Sequence, residues 1–479
     1  MKHNTLIILL AVLVLALTIP GALAQTFPTG GVSGIQVVNL ATSEAIVSAT
    51  YYAEDGTKYT LLDQTLAAQG DSYTYYSEPK ATGNFLGAVI LSAAGQIAGI
   101  SNTVFNNGAG GAYGGANVGS TTVLLPLVTK AFGGQSTAIG IQNTDTVNSV
   151  TANVIYTPQG GSSFLKTYPL QPGSSQIIDL GLDTDFSAAW IGSASISPAD
   201  GSTPLVASAL IYTSQVVFAY SGFANTGTEW YLPLIRSNFP TLSTGVQVVN
   251  ATASDVEVTM SYSGNVYNIN YEIIDVGYTC IVDATLPASR SVTFYNLDTW
   301  PFDDVFGASA ASITGGDCQA NGDASFSDAG YRFLGSAIVT TDGAVAAVVN
   351  DADISGSTSG AYNGALATDA AASVISPLAR VQFYGFTSGT QVQNICNSSV
   401  TASATYYTSP VSQNQTAPVL PNAIIAAGAS YTFFTNDNAY AGWLGSVIVS
   451  TAGGDCLVGI TNDAPVSGDS SVFNLFAMP

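Results

Sequence analysis

Ile35-Gln-Val-Val-Asn39, Ile139-Gly-Ile-Gln-Asn143, Val246-Gln-Val-Val-Asn250 and Thr390-Gln-Val-Gln-Asn394 are four versions of one short segment. In each, β-branched residues alternate with small or polar ones, the two-residue period of a half-buried strand. A tyrosine-ended strand follows every copy: Ser48-Ala-Thr-Tyr-Tyr52, Ala152-Asn-Val-Ile-Tyr156, Val258-Thr-Met-Ser-Tyr262 and Ser403-Ala-Thr-Tyr-Tyr407. Further on, a bulky aromatic precedes an x-Gly-small step: Phe85-Leu-Gly-Ala88, Trp190-Ile-Gly-Ser193, Phe333-Leu-Gly-Ser336 and Trp443-Leu-Gly-Ser446. A glycine held at one place in a strand predicts a bulge or a close backbone approach, and the aromatic is expected to plug a core between two sheets. With about seven strands per roughly 100 residues and no sustained helical period, the pattern predicts an all-β chain. It reads as four tandem immunoglobulin-like antiparallel β-sandwich repeats.

One more strand sits between copies: Leu125-Pro-Leu-Val128 with Lys130, Leu232-Pro-Leu-Ile235 with Arg236, and Ser376-Pro-Leu-Ala379 with Arg380. Proline confines it to a sheet edge or a strand start. Because sequential strands usually pair, each such strand is assigned to the copy before it. The units are then 25–128, 129–236, 237–380 and 381–479, the third with an insertion near 308–332. The other assignment, to the copy after, leaves an open edge on copy 1. It also leaves Val472, Phe473, Leu475 and Phe476 of the last segment as a strand to be donated to a second molecule. Two Gly-rich connectors, Asn106 to Ser120 and Ser355 to Ala372, echo each other through Gly111-Ala-Tyr-Gly-Gly-Ala116 and Gly360-Ala-Tyr-Asn-Gly-Ala365 and are expected to be flexible linkers, their tyrosines the alternative contacts for glycans or neighbours.

Lys2 and His3, the apolar run Leu6 to Leu17 and Ala22-Leu23-Ala24 read as a secretory signal peptide over 1–24, cleaved before Gln25. No later stretch is apolar for long enough to span a bilayer. Only 8% of the chain is charged, with 31 acidic against 9 basic residues, a balance unsuited to nucleic acid or anionic lipid. His3 is the sole histidine and leaves with the leader, which removes Ser-His-Asp and Cys-His catalysis and histidine-bound metals. No catalytic residue is assigned. Calcium is the one candidate cofactor, through loop oxygens of Asp183 and Asp185, or of Asn350, Asp351 and Asp353. Cys280, Cys318, Cys396 and Cys456 suit disulfides in an oxidising compartment, with nearest-in-sequence pairing favoured among the three pairings that four cysteines allow. Asn250, Asn397 and Asn414 begin N-x-S/T glycosylation sequons.

Taken together, the Pro-Leu segment, the Q-V-x-N strand, the tyrosine-ended strand and the aromatic-x-Gly-Ser element resemble the repeat unit of secreted tandem-repeat proteins of filamentous bacteria. The resemblance implies a sandwich fold and a surface location, and it brings no functional residues. The expected function is a secreted, non-enzymatic structural protein of a cell-surface layer, sheath or filament. Its partners would be copies of itself or other surface proteins. An adhesin or carbohydrate-binding surface protein is the alternative.

Overall fold

A computed structural model describes residues 27–28, 30–75, 85–187, 189–296, 306–308, 312–316, 332–353, 356–465 and 469–479. Nearly all regular structure in them is antiparallel β-sheet, and none of their helices is long and apolar enough to cross a membrane.

Copy 2 shows the complete unit. One four-stranded sheet runs Phe164–Leu170, Val150–Pro158, Trp190–Pro198, Val123–Lys130 in spatial order, and the facing sheet runs Ser175–Asp179, Ser136–Asn143, Leu205–Tyr212, Val217–Ser221. Ile139, Ile141, Val154, Tyr156, Ile196 and Ile211 interdigitate between them, all fully buried. Copy 4 repeats the plan. So does copy 3, where the single strand Arg332–Asp353 passes through both sheets.

The Pro-Leu strands pair forward. Val123–Lys130 bonds to Trp190–Pro198, Gly227–Ser237 to Arg332–Asp353, and Ser373–Val381 to Trp443–Thr451. Each therefore belongs to the copy after it, and the unit boundaries at 128, 236 and 380 move upstream of these strands. The register shifts at each proline, between Gly192 and Ala194, between Leu232 and Ile235 and between Ser376 and Ala379, because the missing N–H breaks the ladder. In copy 1 the equivalent strand, Gly87–Ala93, has only Ala45–Ala53 as a partner among the described residues.

The recurring sequence signals have local causes. Asn39, Asn143, Asn250 and Asn394 are all buried. Each side-chain amide donates to a carbonyl four or five residues on and to carbonyls of a later turn, while Oδ1 accepts the N–H two residues on. This latch ties two loops together from inside, satisfying backbone groups that burial would otherwise orphan. The fixed glycine is a close approach, as expected. A Cβ on Gly87, Gly192, Gly335 or Gly445 would lie 2.0, 2.1, 2.2 or 2.0 Å from the carbonyl oxygen of Tyr52, Thr157, Ser263 or Tyr407. The aromatic before it, Trp190, Phe333 or Trp443, is buried in its core.

The four units do not form an open array. Copy 4 packs on copy 1: Ile375, Ile448 and Met478 close over Val38, Leu40 and Ala98, and Leu378, Phe383 and Phe473 over Ile100 and Ala112. The chain thus closes into a ring of four sandwiches. Interfaces reuse the same residues. Gln36 donates to the Pro377 carbonyl of copy 4, and Gln391 to that of Pro233 in copy 3. The serine of the Gly-Ser step reaches the next unit's turn, from Ser336 to the Gly428 carbonyl and from Ser446 to that of Gly70.

Candidate functional site: the axis of the ring

The strands Gly110–Gly114, Val217–Ser221, Ser359–Asn363 and Ser471–Asn474, one from each copy, run side by side around the centre in cyclic order. The two Gly-rich stretches are therefore axial strands rather than linkers, and their small residues are what the axis requires. A Cβ on Gly360 would meet Val472 Cγ2 at 2.3 Å, and one on Gly111 would lie 3.3 Å from the Ala219 Cβ. The last segment is the fourth axial strand. Val472 and Phe473 pair with Thr461 and Asn462 of their own copy, Phe476 pairs with Ile375, and Leu475 packs on the copy 4 core. It is consumed within the chain, which removes it as a strand for donation to a second molecule.

One end of the axis is closed by a single carboxylate. Asp469 Oδ2 accepts the backbone N–H of Gly110 at 3.2 Å and of Val217 at 2.7 Å, and Oδ1 accepts those of Ser359 at 2.7 Å and its neighbour Ser470 at 3.0 Å. These four N–H groups occupy the same position in the four copies, so one acid serves the whole ring. The Ser359 hydroxyl adds a fifth donor at 3.1 Å. Burial pushes the Asp469 carboxyl up to about 7, against the lowering effect of the N–H groups of Val217, Gly110 and Ser359.

The other end is closed by amides. Asn474 donates to the Asn363 carbonyl at 2.6 Å and accepts its N–H at 3.0 Å. Asn363 does the same to Ser221, at 2.7 and 3.2 Å, and the Ser221 hydroxyl donates to the Gly114 carbonyl at 2.6 Å. Three junctions are clasped in this way, and Gly114 has no side chain with which to clasp the fourth. Above this end opens a cavity of about 370 Å³ lined by Phe223, Trp230, Phe476, Asn225, Thr368 and Asp369 among others.

The axial tyrosines hold the Pro-Leu strands. Tyr220 Oη accepts the N–H of Leu127 and donates to its carbonyl, and Tyr362 does both for Leu234. Copy 4 has Phe473 here, and Ser376 Oγ bonds the Leu378 carbonyl instead.

The residues singled out from sequence fall elsewhere. Lys166 Nζ lies 2.5 Å from Asp183 and 2.7 Å from Asp185, and Lys130 donates to the Asp183 carbonyl, so the cation between these loop carboxylates is a lysine. Asp351 pairs with Arg236 at 3.1 Å and accepts from Thr244; burial raises its carboxyl while Arg236 opposes the rise. Asp353 accepts from Ser357 of its own turn, and Asn350 Oδ1 is buried without a hydrogen-bond partner among the described residues. These groups do not converge, and no cluster of three or more His, Cys, Asp or Glu residues placed to hold a metal occurs among the described residues. Of these calcium candidates, Asp183 and Asp185 are paired with Lys166 and Asp351 with Arg236. Cys396 and Cys456 form a disulfide, Cys280 is also disulfide-bonded, and Cys318 lies outside the described residues. Of the sequons, Asn250 is a buried latch and Asn414 donates to the carbonyls of Ala439 and Ala441. Asn397 is exposed in a turn.

Sequence reasoning missed Asp469, whose counterparts in the other copies are Ala109, Val216 and Thr358. A difference at one position of a repeat was the available signal. No family model and no curated protein matches this chain. A solved structure with which it aligns is native-conformation E. coli alpha-2-macroglobulin. The identity is 8% over 94% of this chain and 38% of that one, with a TM-score of 0.11, a likeness that carries no argument.

Proposed function

We propose that this chain is a secreted, non-enzymatic structural protein, a closed four-unit ring that serves as a building block of a cell-surface layer, sheath or filament. The observation that carries this reading is where the repeated residues go. Gln36 and Gln391, Ser336 and Ser446, and the axial amides Asn363 and Asn474 all bond across from one sandwich to its neighbour, with one carboxylate at the centre. A sparse-charge surface and an internal disulfide suit an extracellular setting, as does the resemblance to secreted repeat proteins of filamentous bacteria. Negative-stain microscopy of the protein taken from the cell surface tests it: ordered sheets or filaments of ring-shaped units are expected, and dispersed single particles with no cell association would refute it.

A second reading, adhesion through a carbohydrate, is favoured only by the axial cavity, whose size suits a small ligand. Binding on a glycan array that is lost in Asp369→Ala would support it.

A further inference from the structure

At the cavity end of the axis each copy turns a peptide edge toward its neighbour, and the ladders fix the direction of that edge. Gly364 and Leu475 donate their N–H groups to the carbonyls of Ala347 and Gly459, both at 2.9 Å. Asn363 and Asn474, one residue earlier, are therefore the non-hydrogen-bonded members of their strand pairs. Their own N–H and carbonyl groups point away from the sheet, toward the next copy. At Asn363 that edge is taken by the Asn474 amide, and at Ser221 by the Asn363 amide. The Asn474 edge faces the strand of Gly114, and it receives no side-chain clasp among the described residues.

The unclasped edge belongs to a cavity. Gly114, Ser221, Asn363 and Asn474 all line the space of about 370 Å³ over the axis, with Phe476 in its wall. A Cβ on Gly114 would meet only Phe476, at 3.4 Å, which is ordinary contact, so the space a clasping side chain would use is open. Among the described residues Asp369 is the one acid of the lining and no basic residue joins it, which disfavours an anion there.

We propose that this cavity binds a primary carboxamide, which supplies the fourth clasp from outside the chain. Such a group carries a carbonyl oxygen and an N–H side by side, the pair with which Asn363 and Asn474 grip their neighbours. Its oxygen accepts the Asn474 N–H, and its NH2 group donates to the Asn474 carbonyl. A carboxylate can only accept, and the amide of an N-acetyl sugar turns its N–H and C=O opposite ways, so neither makes both bonds. Two sources offer this chemistry: a free amide such as glutamine, or an asparagine or glutamine side chain on a protein segment.

The test titrates the intact protein with L-glutamine and with N-acetylglutamine N-methylamide, whose only primary amide is its side chain. Calorimetry reads binding, and hydrogen exchange followed by mass spectrometry reads the Asn474 amide. Binding with slowed exchange is expected; a preference for glutamine makes a free solute the source, and a preference for the blocked compound a protein segment. The matching glutamate compounds should bind about tenfold more weakly, having lost one or two hydrogen bonds. Gly114→Asn gives the chain its own fourth clasp and should weaken binding by about tenfold or more, whereas Gly114→Ala should leave it unchanged. No binding of either carboxamide at millimolar concentration overturns the proposal, as does equal binding of the glutamate compounds, a comparison made on the unaltered chain. Undiminished binding to a folded Gly114→Asn protein overturns it too. So does tighter binding of N-acetylglucosamine, which would leave the carbohydrate reading standing.

Discussion

Replacing Asp469 by alanine should loosen the whole ring from one atom group. The side chain accepts four equivalent backbone N–H groups, from Gly110, Val217, Ser359 and Ser470, and three of these come from other copies. Each buried N–H left without an acceptor costs about 1 kcal/mol or more, so the gross loss is roughly 4 kcal/mol. Relief of a desolvated carboxylate offsets part of that, leaving a net of about 3 kcal/mol, a large share of an ordinary domain's stability. Asp469→Asn keeps one acceptor oxygen and turns the other into a donor, and should cost about half as much. The pH dependence carries a sign. The folded carboxyl titrates near 7 and the unfolded one near its ordinary 3.8, so between these values the folded state holds a proton the unfolded state has released. Stability from this group is full below the unfolded value and is lost as pH rises through about 7; Asp469→Asn should flatten that slope. Urea unfolding followed by circular dichroism at pH 5 and pH 8 reads both effects. A loss below about 1 kcal/mol for Asp469→Ala, or an unchanged pH slope for Asp469→Asn, would refute the reasoning.

Other expectations follow from packing and linkage. Gly445→Ala places a Cβ 2.0 Å from the Tyr407 carbonyl, where only backbone movement relieves the clash, and should cost about 3 kcal/mol in the same unfolding assay. Reducing the Cys396–Cys456 bridge, 60 residues apart in sequence, releases a loop whose closure entropy is worth about 4 kcal/mol; calorimetry with and without reductant should show the lowered transition. If sequons are modified at source, glycopeptide mass spectrometry should find glycan at Asn397 and none at Asn250, whose amide is bonded inside copy 3.

Much was legible from the chain alone because strands and close approaches are written in local pattern. The alternation in Val246-Gln-Val-Val-Asn250, the core-plugging Trp190 and Trp443 and the crowding at Gly445 all follow from neighbours in sequence or from a period of two. The destination of the Pro-Leu strands was not. Leu125-Pro-Leu-Val128 reads equally well as the last strand of one unit or the first of the next, and proximity in sequence favoured the wrong side. The Gly-rich stretches looked like linkers for a similar reason: glycine serves flexibility and tight packing alike, and only the strands converging on the axis separate the two uses. Composition and repeats by themselves determined four antiparallel β units of low charge. That the units close into a ring was decided by contacts such as Asp469 with Gly110, 359 residues apart. No local pattern encodes such a pairing; it exists only because four copies bring equivalent N–H groups to one point, where a single buried acid can satisfy them all.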